Sequence, residues 1–298
     1  MGTTTNTGTT DPREGGPKPP FHAHEQDPFG HETEMEPRAD HGETSYRGFG
    51  RLQDRAALIT GADSGIGRAV ALAYAREGAD VAIAYLDEDD DARETQRLVE
   101  DAGRRALLLP GDISDDDHCA AIVARTVEAF GRLDILVNNA AFQGKKVKGP
   151  EELDPERVRR TLLTNIGAMF FITRHALPHL GAGGVIINTA SINAYQPSPG
   201  ILDYATTKGA IVTYTKGLGQ ELAGRGIRVN AVAPGPVWTP LVMQSYDDQH
   251  LSRFGESTPL GRPAQPAELA PVYVFLASDE SRFITAEVVG VTGGRVLG

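Results

Sequence analysis

The stretch Thr60-Gly61-Ala62-Asp63-Ser64-Gly65-Ile66-Gly67 decides the fold. It follows an apolar run at 56–60 and precedes apolar residues at helical spacing up to Glu77, so it joins a buried strand to a helix. Glycines at this spacing let the backbone approach a pyrophosphate, and the helix supplies unpaired N–H groups and the positive end of its dipole. Glycines also mark ordinary tight turns, but the placement between strand and helix favours a dinucleotide-binding loop.

Short apolar runs alternate with amphipathic stretches from this loop to the C-terminus. Continuous Val, Ile and Leu runs separated by helices are typical of a parallel sheet covered on both faces. We therefore predict an α/β fold, a single doubly wound Rossmann-type parallel sheet of about seven strands with helices on both faces. The predicted strands are 56–60, 80–85, 105–109, 134–137, 184–189, 227–232 and 288–291, and the predicted helices are 65–77, 89–102, 115–130, 155–180, 203–224 and 266–277.

The first 51 residues differ from the rest of the chain because they contain no Val, Ile or Leu. Such a segment buries too little apolar area to offset the entropy of ordering its backbone, about 1–2 kcal/mol per residue. We predict an extended or disordered tail over 1–51 and one nucleotide-binding catalytic domain over 52–298. The tail's histidines are expected to be solvated and not to bind a metal; they are His22, His24, His31 and His41.

Composition excludes several classes of function. The 298 residues carry a net charge of −11, which disfavours binding to nucleic acid. A single cysteine, Cys119, excludes an intramolecular disulfide and a cysteine-rich zinc site. No apolar run approaches the roughly 20 residues needed to cross a bilayer, and the N-terminus lacks an apolar signal-peptide core. We expect a soluble cytoplasmic protein with no metal, nucleic-acid or membrane partner.

Tyr204 and Lys208 form a candidate acid–base pair. They lie four residues apart in a predicted helix, so their side chains share one face. A phenol has a pKa near 10, and a nearby ammonium lowers that pKa. Such a pair also occurs by chance on solvated helix faces. Two further positions favour catalysis: Ser191 follows a predicted strand, and Asn165 lies inside a predicted helix, where an amide is not a favoured residue.

Over about residues 54–298 the sequence resembles the short-chain dehydrogenase/reductase family. The loop at 60–67 matches the family's nucleotide-binding motif, and Asn138-Asn139-Ala140-Ala141 resembles its Asn-Asn-Ala-Gly element, with Ala141 in place of the usual glycine. Pro234-Gly235-Pro236-Val237-Trp238-Thr239 matches the segment that holds the nicotinamide carboxamide. The positions that match the family's catalytic tetrad are Asn165, Ser191, Tyr204 and Lys208.

A narrower resemblance is to a bacterial general-stress-protein subgroup with an N-terminal extension, near which plant proteins called glucose/ribitol dehydrogenase belong. The tail, the strand end Tyr85-Leu86-Asp87 and the variant Trp238-Thr239-Pro240 carry it.

The family resemblance implies hydride transfer between a nicotinamide and a small carbonyl or alcohol substrate, namely an aldehyde, ketone, polyol or sugar. It implies that Tyr204 exchanges the proton, Lys208 lowers the Tyr204 pKa and binds the ribose, Ser191 polarises the substrate oxygen, and Asn165 holds a relay water. The residues implied in cofactor binding are Gly61, Asp63, Ser64, Gly65, Ile66, Gly67, Tyr85, Leu86, Asp112, Ile113, Asn139, Ala140, Tyr204, Lys208, Pro234, Gly235, Val237 and Thr239.

Two alternative functions remain open. One is reduction of a carrier-linked or aromatic carbonyl. The other is a non-catalytic dinucleotide-binding sensor or scaffold, against which the intact proton-transfer residues argue.

The cofactor is NAD or NADP, and the sequence favours NAD. Tyr85 stands where the family's NAD enzymes carry Asp, and neither it nor Leu86 discriminates by charge. Ser64 stands where many of the family's NADP enzymes carry Arg or Lys. The acidic run 87–91 either stabilises a helix N-terminus or also repels the additional phosphate of NADP.

The resemblance places a substrate lid over about 238–261. Its larger side chains either line the pocket or pack the lid down; they are Trp238, Met243, Tyr246 and Phe254. Pocket shape also depends on Phe142, Gln143, Asn193 and Tyr195.

Assembly is also expected from the resemblance. The predicted helices 155–180 and 203–224 carry apolar residues on more than one face. Such helices pair between subunits in the family, so we expect a homotetramer, or failing that a dimer. We expect the tail to wrap across a neighbouring subunit.

Overall fold

The computed structural model describes residues 11–26 and 30–298. Its centre is a seven-stranded parallel sheet in the order β3-β2-β1-β4-β5-β6-β7. The strands are β1 (Ala56–Thr60), β2 (Asp80–Tyr85), β3 (Ala106–Pro110), β4 (Ile135–Asn138), β5 (Val185–Thr189), β6 (Arg228–Pro234) and β7 (Val288–Val291). The prediction of a doubly wound α/β sheet is confirmed.

Helices cover both faces of this sheet. They are α1 (Gly65–Arg76), α2 (Asp89–Asp101), α3 (Asp116–Phe130), α4 (Pro155–Leu162), α5 (Ala168–Ala176), α6 (Leu202–Ala223), α7 (Pro240–Met243), α8 (Asp248–Ser252) and α9 (Ala270–Ala277). Helices α1, α2 and α9 share one apolar cluster with the sheet, and α3, α5 and α6 share the other.

Strand β1 shows why the apolar runs are continuous. Its side chains alternate between the two clusters, with Ala57 and Ile59 in one and Ala56 and Leu58 in the other. All of β1 is therefore buried, as expected of a central parallel strand.

The predicted helix 155–180 is divided by a π-helical turn, Leu163–Gly167, and its last helix ends at Ala176. Asn165 lies inside this turn, where two hydrogen bonds with the backbone of Phe142 hold its side chain. π turns widen a helix locally and frequently occur at functional sites. The turn thus brings a polar residue of an otherwise amphipathic helix to the carboxyl end of β4.

The strand order reverses beside β1, whose neighbours are β2 and β4. In open α/β sheets a crevice forms beyond the carboxyl ends of the strands at this point, and ligands bind there. The loops after β1 and β4 are therefore placed on opposite sides of such a crevice.

Most of the N-terminal segment lies against its own domain. Residues 11–26 and 30–51 contain no strand in their described parts, only two short 3₁₀ turns, Pro12–Glu14 and Glu32–Glu34. Phe21 and Met35 are buried in a cluster with Trp238. An aromatic ring and a thioether thus provide the apolar contacts that Val, Ile and Leu provide elsewhere. The remaining residues of the predicted tail, 1–10 and 27–29, lie outside the described part of the chain.

One histidine of this segment departs from expectation. His22, His24 and His31 are exposed, but His41 is buried, with its ring between the carboxylates of Glu32 and Glu43. The expectation of a solvated side chain is therefore wrong for His41, because two carboxylates stabilise a charged ring inside the protein.

Within the described residues, no helix combines the length and apolar character required to cross a bilayer.

Candidate active site

A cavity of about 790 Å³ lies beyond the carboxyl ends of the strands, and segments following β1 to β6 contribute to its wall. Of the residues predicted for catalysis and cofactor binding, only Gly67 and Asn165 do not line it. Those that do are Gly61, Asp63, Ser64, Gly65, Ile66, Tyr85, Leu86, Asp112, Ile113, Asn139, Ala140, Ser191, Tyr204, Lys208, Pro234, Gly235, Val237 and Thr239.

The glycine loop after β1 presents backbone to this cavity. Gly61 and Gly65 have positive φ angles of 62° and 50°, which side chains disfavour. A Cβ at Gly61 would lie 2.9 Å from the Cα of Ala140, and one at Gly67 would overlap the carbonyl oxygen of Gly61. The missing side chains keep open a cradle at the N-terminus of α1, which fits the pyrophosphate of a dinucleotide. Gly67 acts behind the cradle by allowing close packing.

Asn139, which directly follows β4, fastens this loop to the sheet. Its Nδ2 donates to the carbonyl oxygens of Thr60 and Gly61, each at 3.1 Å. In return, Thr60 Oγ1 accepts from the backbone N–H groups of Asn139 and Ala140, each at 3.0 Å. These four hydrogen bonds join the ends of neighbouring strands and fix the shape of the cradle.

Two carboxylates line the cavity near the end of β2. Asp63 belongs to the glycine loop, and Glu88 follows Tyr85 and Leu86. Burial, together with the negative charge of Glu88, raises the pKa of Asp63 to about 7. Glu88 therefore supplies most of the negative charge in this part of the cavity, because Asp63 is about half protonated at neutral pH.

The acidic run 87–91 has members in two different environments. Residues 89–91 form the first turn of α2, where carboxylates favour the positive end of the helix dipole. Asp91 is buried and pairs with Arg68 at 3.0 Å. Glu88, in contrast, lines the cavity.

Ser191, Tyr204 and Lys208 meet in the same cavity. Ser191 caps a 3₁₀ turn after β5, where its Oγ accepts from the N–H of Asn193 at 3.1 Å. Tyr204 and Lys208 lie one turn apart near the start of α6. A side-chain hydrogen bond links Tyr204 to Ser191, and Lys208 Nζ lies 5.3 Å from the centre of the Tyr204 ring.

Burial controls both titratable groups of this cluster. It raises the pKa of Tyr204, opposed by the hydrogen bond with Ser191, and lowers the pKa of Lys208 to about 7. Lys208 Nζ donates to the carbonyl oxygen of Thr189 at 2.8 Å. The expected lowering of the Tyr204 pKa is not found, because burial disfavours the charged forms of both groups. The phenol is therefore protonated at neutral pH, the form that donates a proton.

Asn165 is buried close to this cluster but does not line the cavity. Its Oδ1 accepts from the N–H of Phe142 at 2.7 Å. Its Nδ2 donates to the Phe142 carbonyl at 2.9 Å and to Thr207 Oγ1 at 3.1 Å. The amide thus joins the loop after β4 to helix α6. Its role in holding a relay water stays a prediction.

The large side chains of the lid, residues 238–261, divide between the two expected roles. Tyr246 and Phe254 line the cavity. Trp238 and Met243 do not, and are buried in a cluster with Phe21. Trp238 and Met243 therefore hold the lid to the protein, while Tyr246 and Phe254 pack against their cluster and also face the ligand space.

The pocket-shaping residues divide in the same way. Phe142, Gln143 and Asn193 line the cavity, whereas Tyr195 packs in an apolar cluster beside it.

Sequence reasoning missed several contributors to this site, among them Thr189, Gly30 and Glu32. Thr189 lines the cavity and accepts from Lys208, and its position at the end of a strand could have indicated it. Gly30 lines the cavity from the N-terminal segment. Glu32 Oε2 accepts from the N–H of Gly65 at 2.7 Å. No signal marks Gly30 or Glu32, because their surroundings have no hydrophobic periodicity.

Among the described residues, no group of three or more histidine, cysteine or carboxylate side chains is arranged to hold a metal ion.

Known sequences similar to this chain are oxidoreductases and a stress protein. The family profile described as Enoyl-(Acyl carrier protein) reductase matches residues 61–295. General stress protein 39 of Bacillus subtilis is 47% identical over 268 residues, 90% of this chain and 93% of that protein. Glucose and ribitol dehydrogenase of Daucus carota is 46% identical over 274 residues, 90% of this chain and 94% of that protein. NADPH-dependent aldehyde reductase 1, chloroplastic, of Arabidopsis thaliana is 44% identical over 275 residues, 90% of this chain and 95% of that protein.

Solved structures agree with these sequence relationships. A short chain dehydrogenase from Burkholderia cenocepacia in complex with NADP has a TM-score of 0.75 and 35% identity, covering 82% of this chain and 98% of that chain. The 3-ketoacyl-(acyl-carrier-protein) reductase from Brucella melitensis complexed with NADH has the same score and identity, covering 82% and 99%. The predicted resemblance is confirmed. The chain belongs to the short-chain dehydrogenase/reductase family and is an oxidoreductase that acts on CH–OH groups with NAD or NADP.

Proposed function

We propose that this enzyme transfers hydride between NAD and a small carbonyl or alcohol substrate, an aldehyde, ketone, polyol or sugar. The observation that carries the proposal is the meeting of Ser191, Tyr204 and Lys208 in one cavity with the glycine loop. The names of the carrot and Arabidopsis relatives, a sugar and polyol dehydrogenase and an aldehyde reductase, support this class of substrate.

The glycine loop, Asn139 and Lys208 would hold the dinucleotide, which when bound supplies or accepts the hydride. In reduction, Tyr204 donates a proton to the developing alkoxide, and in oxidation it takes that proton from the alcohol. Ser191 donates a hydrogen bond to the substrate oxygen and stabilises its developing charge. Lys208, with a pKa of about 7, would supply a proton to Tyr204 after each reduction and regain one from solvent, through the relay water predicted at Asn165.

The substitution Tyr204→Phe tests this assignment, because it removes the hydroxyl and leaves the ring. We expect turnover to fall by about 10²–10⁴-fold, the usual contribution of a positioned proton donor, while NADH still binds. Turnover is followed by NADH absorbance and binding by NADH fluorescence. Tyr214→Phe is the matched control, since Tyr214 also lies in α6 but outside the cavity. Turnover of Tyr204→Phe at the rate of the control would contradict the assignment.

The preference for NAD over NADP rests on the acidic part of the cavity. Asp63 and Glu88 would accept hydrogen bonds from a ribose hydroxyl, and the charge of Glu88 would repel the additional phosphate of NADP, whereas Asp63, with a pKa of about 7, carries only part of a charge at neutral pH. We expect kcat/KM to be higher with NADH than with NADPH, and Glu88→Gln to narrow the difference between the two values. Asp87→Asn removes an exposed carboxylate of the same acidic region as a control. A tenfold preference of the wild type for NADPH would overturn this part of the proposal.

A carrier-linked carbonyl is the second candidate substrate. The description of the matching family profile and the name of the Brucella enzyme favour it. Assaying free aldehydes, polyols and sugars beside a carrier-linked ketoacyl thioester separates the two: we expect faster turnover of the free compounds.

We also propose a homotetramer in the cytoplasm, where nicotinamide dinucleotides are available. Leu162, Leu163 and Phe170 are exposed on or between α4 and α5, and contiguous exposed apolar side chains are typical of an interface. Light scattering after size exclusion tests the assembly, and a monomer at micromolar concentration would contradict it. Cell fractionation tests the location.

A further inference from the structure

Residues 21–26 and 30–41 form a strap across the lid. The backbone N–H of Phe21 donates to the carbonyl of Ser252 at 2.8 Å, and that of Gln26 donates to the carbonyl of Met243 at 3.1 Å. The rings of Phe21 and Trp238 lie 4.3 Å apart, centre to centre.

The indole nitrogen completes the attachment to the lid. Trp238 Nε1 donates to the carbonyl of Pro37 at 2.7 Å, so the largest side chain of the lid is satisfied by the strap. Buried indole N–H groups require such a partner. The lid is therefore held by contacts that the strap itself provides.

The same strap is attached to the glycine loop. Glu32 Oε2 accepts from the N–H of Gly65 at 2.7 Å. The N–H of Glu32 donates to Asp91 Oδ2 at 3.2 Å, and Asp91 pairs with Arg68 of α1 at 3.0 Å. Glu32, Asp91 and Arg68 are all buried. One short turn thus binds the loop, the start of α1 and the start of α2.

The charge of Glu32 is balanced inside the protein. His41 Nε2 lies 3.2 Å from Glu32 Oε2, and His41 Nδ1 lies 3.1 Å from Glu43. These carboxylates raise the pKa of His41 to about 9 against the opposing effects of burial and Arg68. His41 is therefore protonated at neutral pH and compensates a carboxylate placed beside the dinucleotide-binding loop.

The strap reaches the cavity without filling the cradle. Gly30 lines the cavity, and a Cβ at this position would lie 2.4 Å from the carbonyl oxygen of Pro240 in the lid. Glu32 does not line the cavity, whereas Gly65 and Ile66 do. Glu32 therefore supports the loop from behind and leaves the cavity side of α1 to a ligand.

We propose that Glu32 is a positioning residue for the dinucleotide-binding loop, and that the strap holds this loop and the lid in their binding arrangement before any ligand arrives. The inference rests on the proposed function only for the identity of the ligand. Because the loop is arranged in advance, binding does not have to order it, and affinity is gained. The strap acts on dinucleotide affinity and retention, while proton transfer stays with Tyr204 and Lys208.

The first test uses Glu32→Ala, with Glu34→Ala as the matched control from the same turn, where the side chain is exposed. In the full-length protein without ligand, we expect faster hydrogen–deuterium exchange over residues 61–72 in Glu32→Ala only. The Kd for NADH, measured by fluorescence, should rise by up to about tenfold, because part of the binding free energy must then order the loop. The single-turnover rate at saturating NADH should change less than twofold.

Glu32→Gln separates positioning from a general structural role. The amide oxygen still accepts a hydrogen bond, so we expect it to restore most of the protection over residues 61–72 and most of the NADH affinity. If Glu32 only stabilised the fold in general, Glu32→Gln would not restore protection at residues 61–72 and NADH affinity together.

The second test acts at the other attachment and does not depend on the stability of Glu32 variants. Phe21→Ala removes the ring that packs on Trp238, and Phe49→Ala removes an exposed ring from the same N-terminal segment. We expect faster exchange over residues 238–261 and faster NADH dissociation in Phe21→Ala, and wild-type behaviour in Phe49→Ala.

If hydrogen exchange over residues 61–72 and 238–261 were the same in the variants as in their controls, the proposal that the strap holds the loop and the lid would be wrong, whatever the ligand. Faster exchange with an unchanged NADH Kd would overturn the positioning role of Glu32. Failure of every variant and the wild type to bind NADH would instead contradict the proposed function, while the exchange of the ligand-free protein would still report on the strap.

Discussion

The glycine loop and the strap touch each other, yet they are built in opposite ways. The loop lies between a buried strand and a helix. Its shape depends on glycines, because neighbouring backbone atoms leave no room for a Cβ at these positions. The strap has no strand among its described residues and is held by a few specific contacts, such as Glu32 to Gly65 and Phe21 to Trp238. The difference teaches that one binding site can combine a part fixed by local sequence with a part fixed only by distant contacts.

The largest effect on dinucleotide binding should come from a change within the loop. Gly67→Ala places a methyl group against the carbonyl oxygen of Gly61, so the loop must move. We expect the Kd for NADH to rise at least about tenfold, with a loss of stability of about 1–3 kcal/mol from overpacking. A Cβ at Gly181 would meet no atom within 4 Å, so Gly181→Ala is the control. Wild-type affinity in Gly67→Ala would break the claim that local packing fixes the loop.

The second effect compares the cores of the two regions. Leu58→Ala leaves a cavity in the centre of the sheet and should lower the free energy of unfolding by about 2–5 kcal/mol. Met35→Ala removes an equally buried side chain from the strap, but the strap can open without unfolding the sheet. We therefore expect Met35→Ala to lower the free energy of unfolding, measured by urea denaturation, by less than Leu58→Ala does. Faster hydrogen exchange should be confined to the strap and lid. Equal losses in both variants would show that the two regions unfold as one unit.

The smallest effect concerns pH. His41 has a folded pKa of about 9, above its ordinary value of 6.5, because Glu32 and Glu43 face it while Arg68 opposes them. Its stabilisation is therefore complete below pH 6.5 and is lost as the pH rises through 9. We expect His41→Gln to be less stable than the wild type at pH 6, by on the order of 1–3 kcal/mol, and the difference to shrink by pH 9.5.

Denaturation curves at several pH values measure this difference, with His31→Gln as the control for loss of an exposed histidine from the same segment. A constant difference from pH 6 to 9.5 would argue against a charged His41 at the strap.

The sheet and most of the cavity could be predicted because strong local patterns carry them. Strand β1, the glycine loop and the spacing of Tyr204 and Lys208 are each visible within a few residues. The π turn at Asn165 could not be predicted, since the hydrogen bonds that hold its side chain go to Phe142, 23 positions away in the chain.

The pKa values of buried groups were a second property that the sequence could not predict. The spacing of Tyr204 and Lys208 correctly placed them on one face, but the direction of the Tyr204 pKa depends on complete burial, which spacing does not reveal. The role of the N-terminal segment was hidden for a related reason. Phe21 and Glu32 each act through one partner in a distant part of the chain, and no periodic pattern marks such contacts.

The most direct test of the central claim follows the hydride itself. The wild type and Tyr204→Phe would be incubated with NADH deuterated at the transferring position and a panel of aldehydes, ketones and sugars, and the products analysed by mass spectrometry. We expect one deuterium on the former carbonyl carbon with the wild type and almost none with Tyr204→Phe, although both bind NADH. Labelled product from Tyr204→Phe at the wild-type rate, or none from the wild type with any member of the panel, would contradict the proposed function.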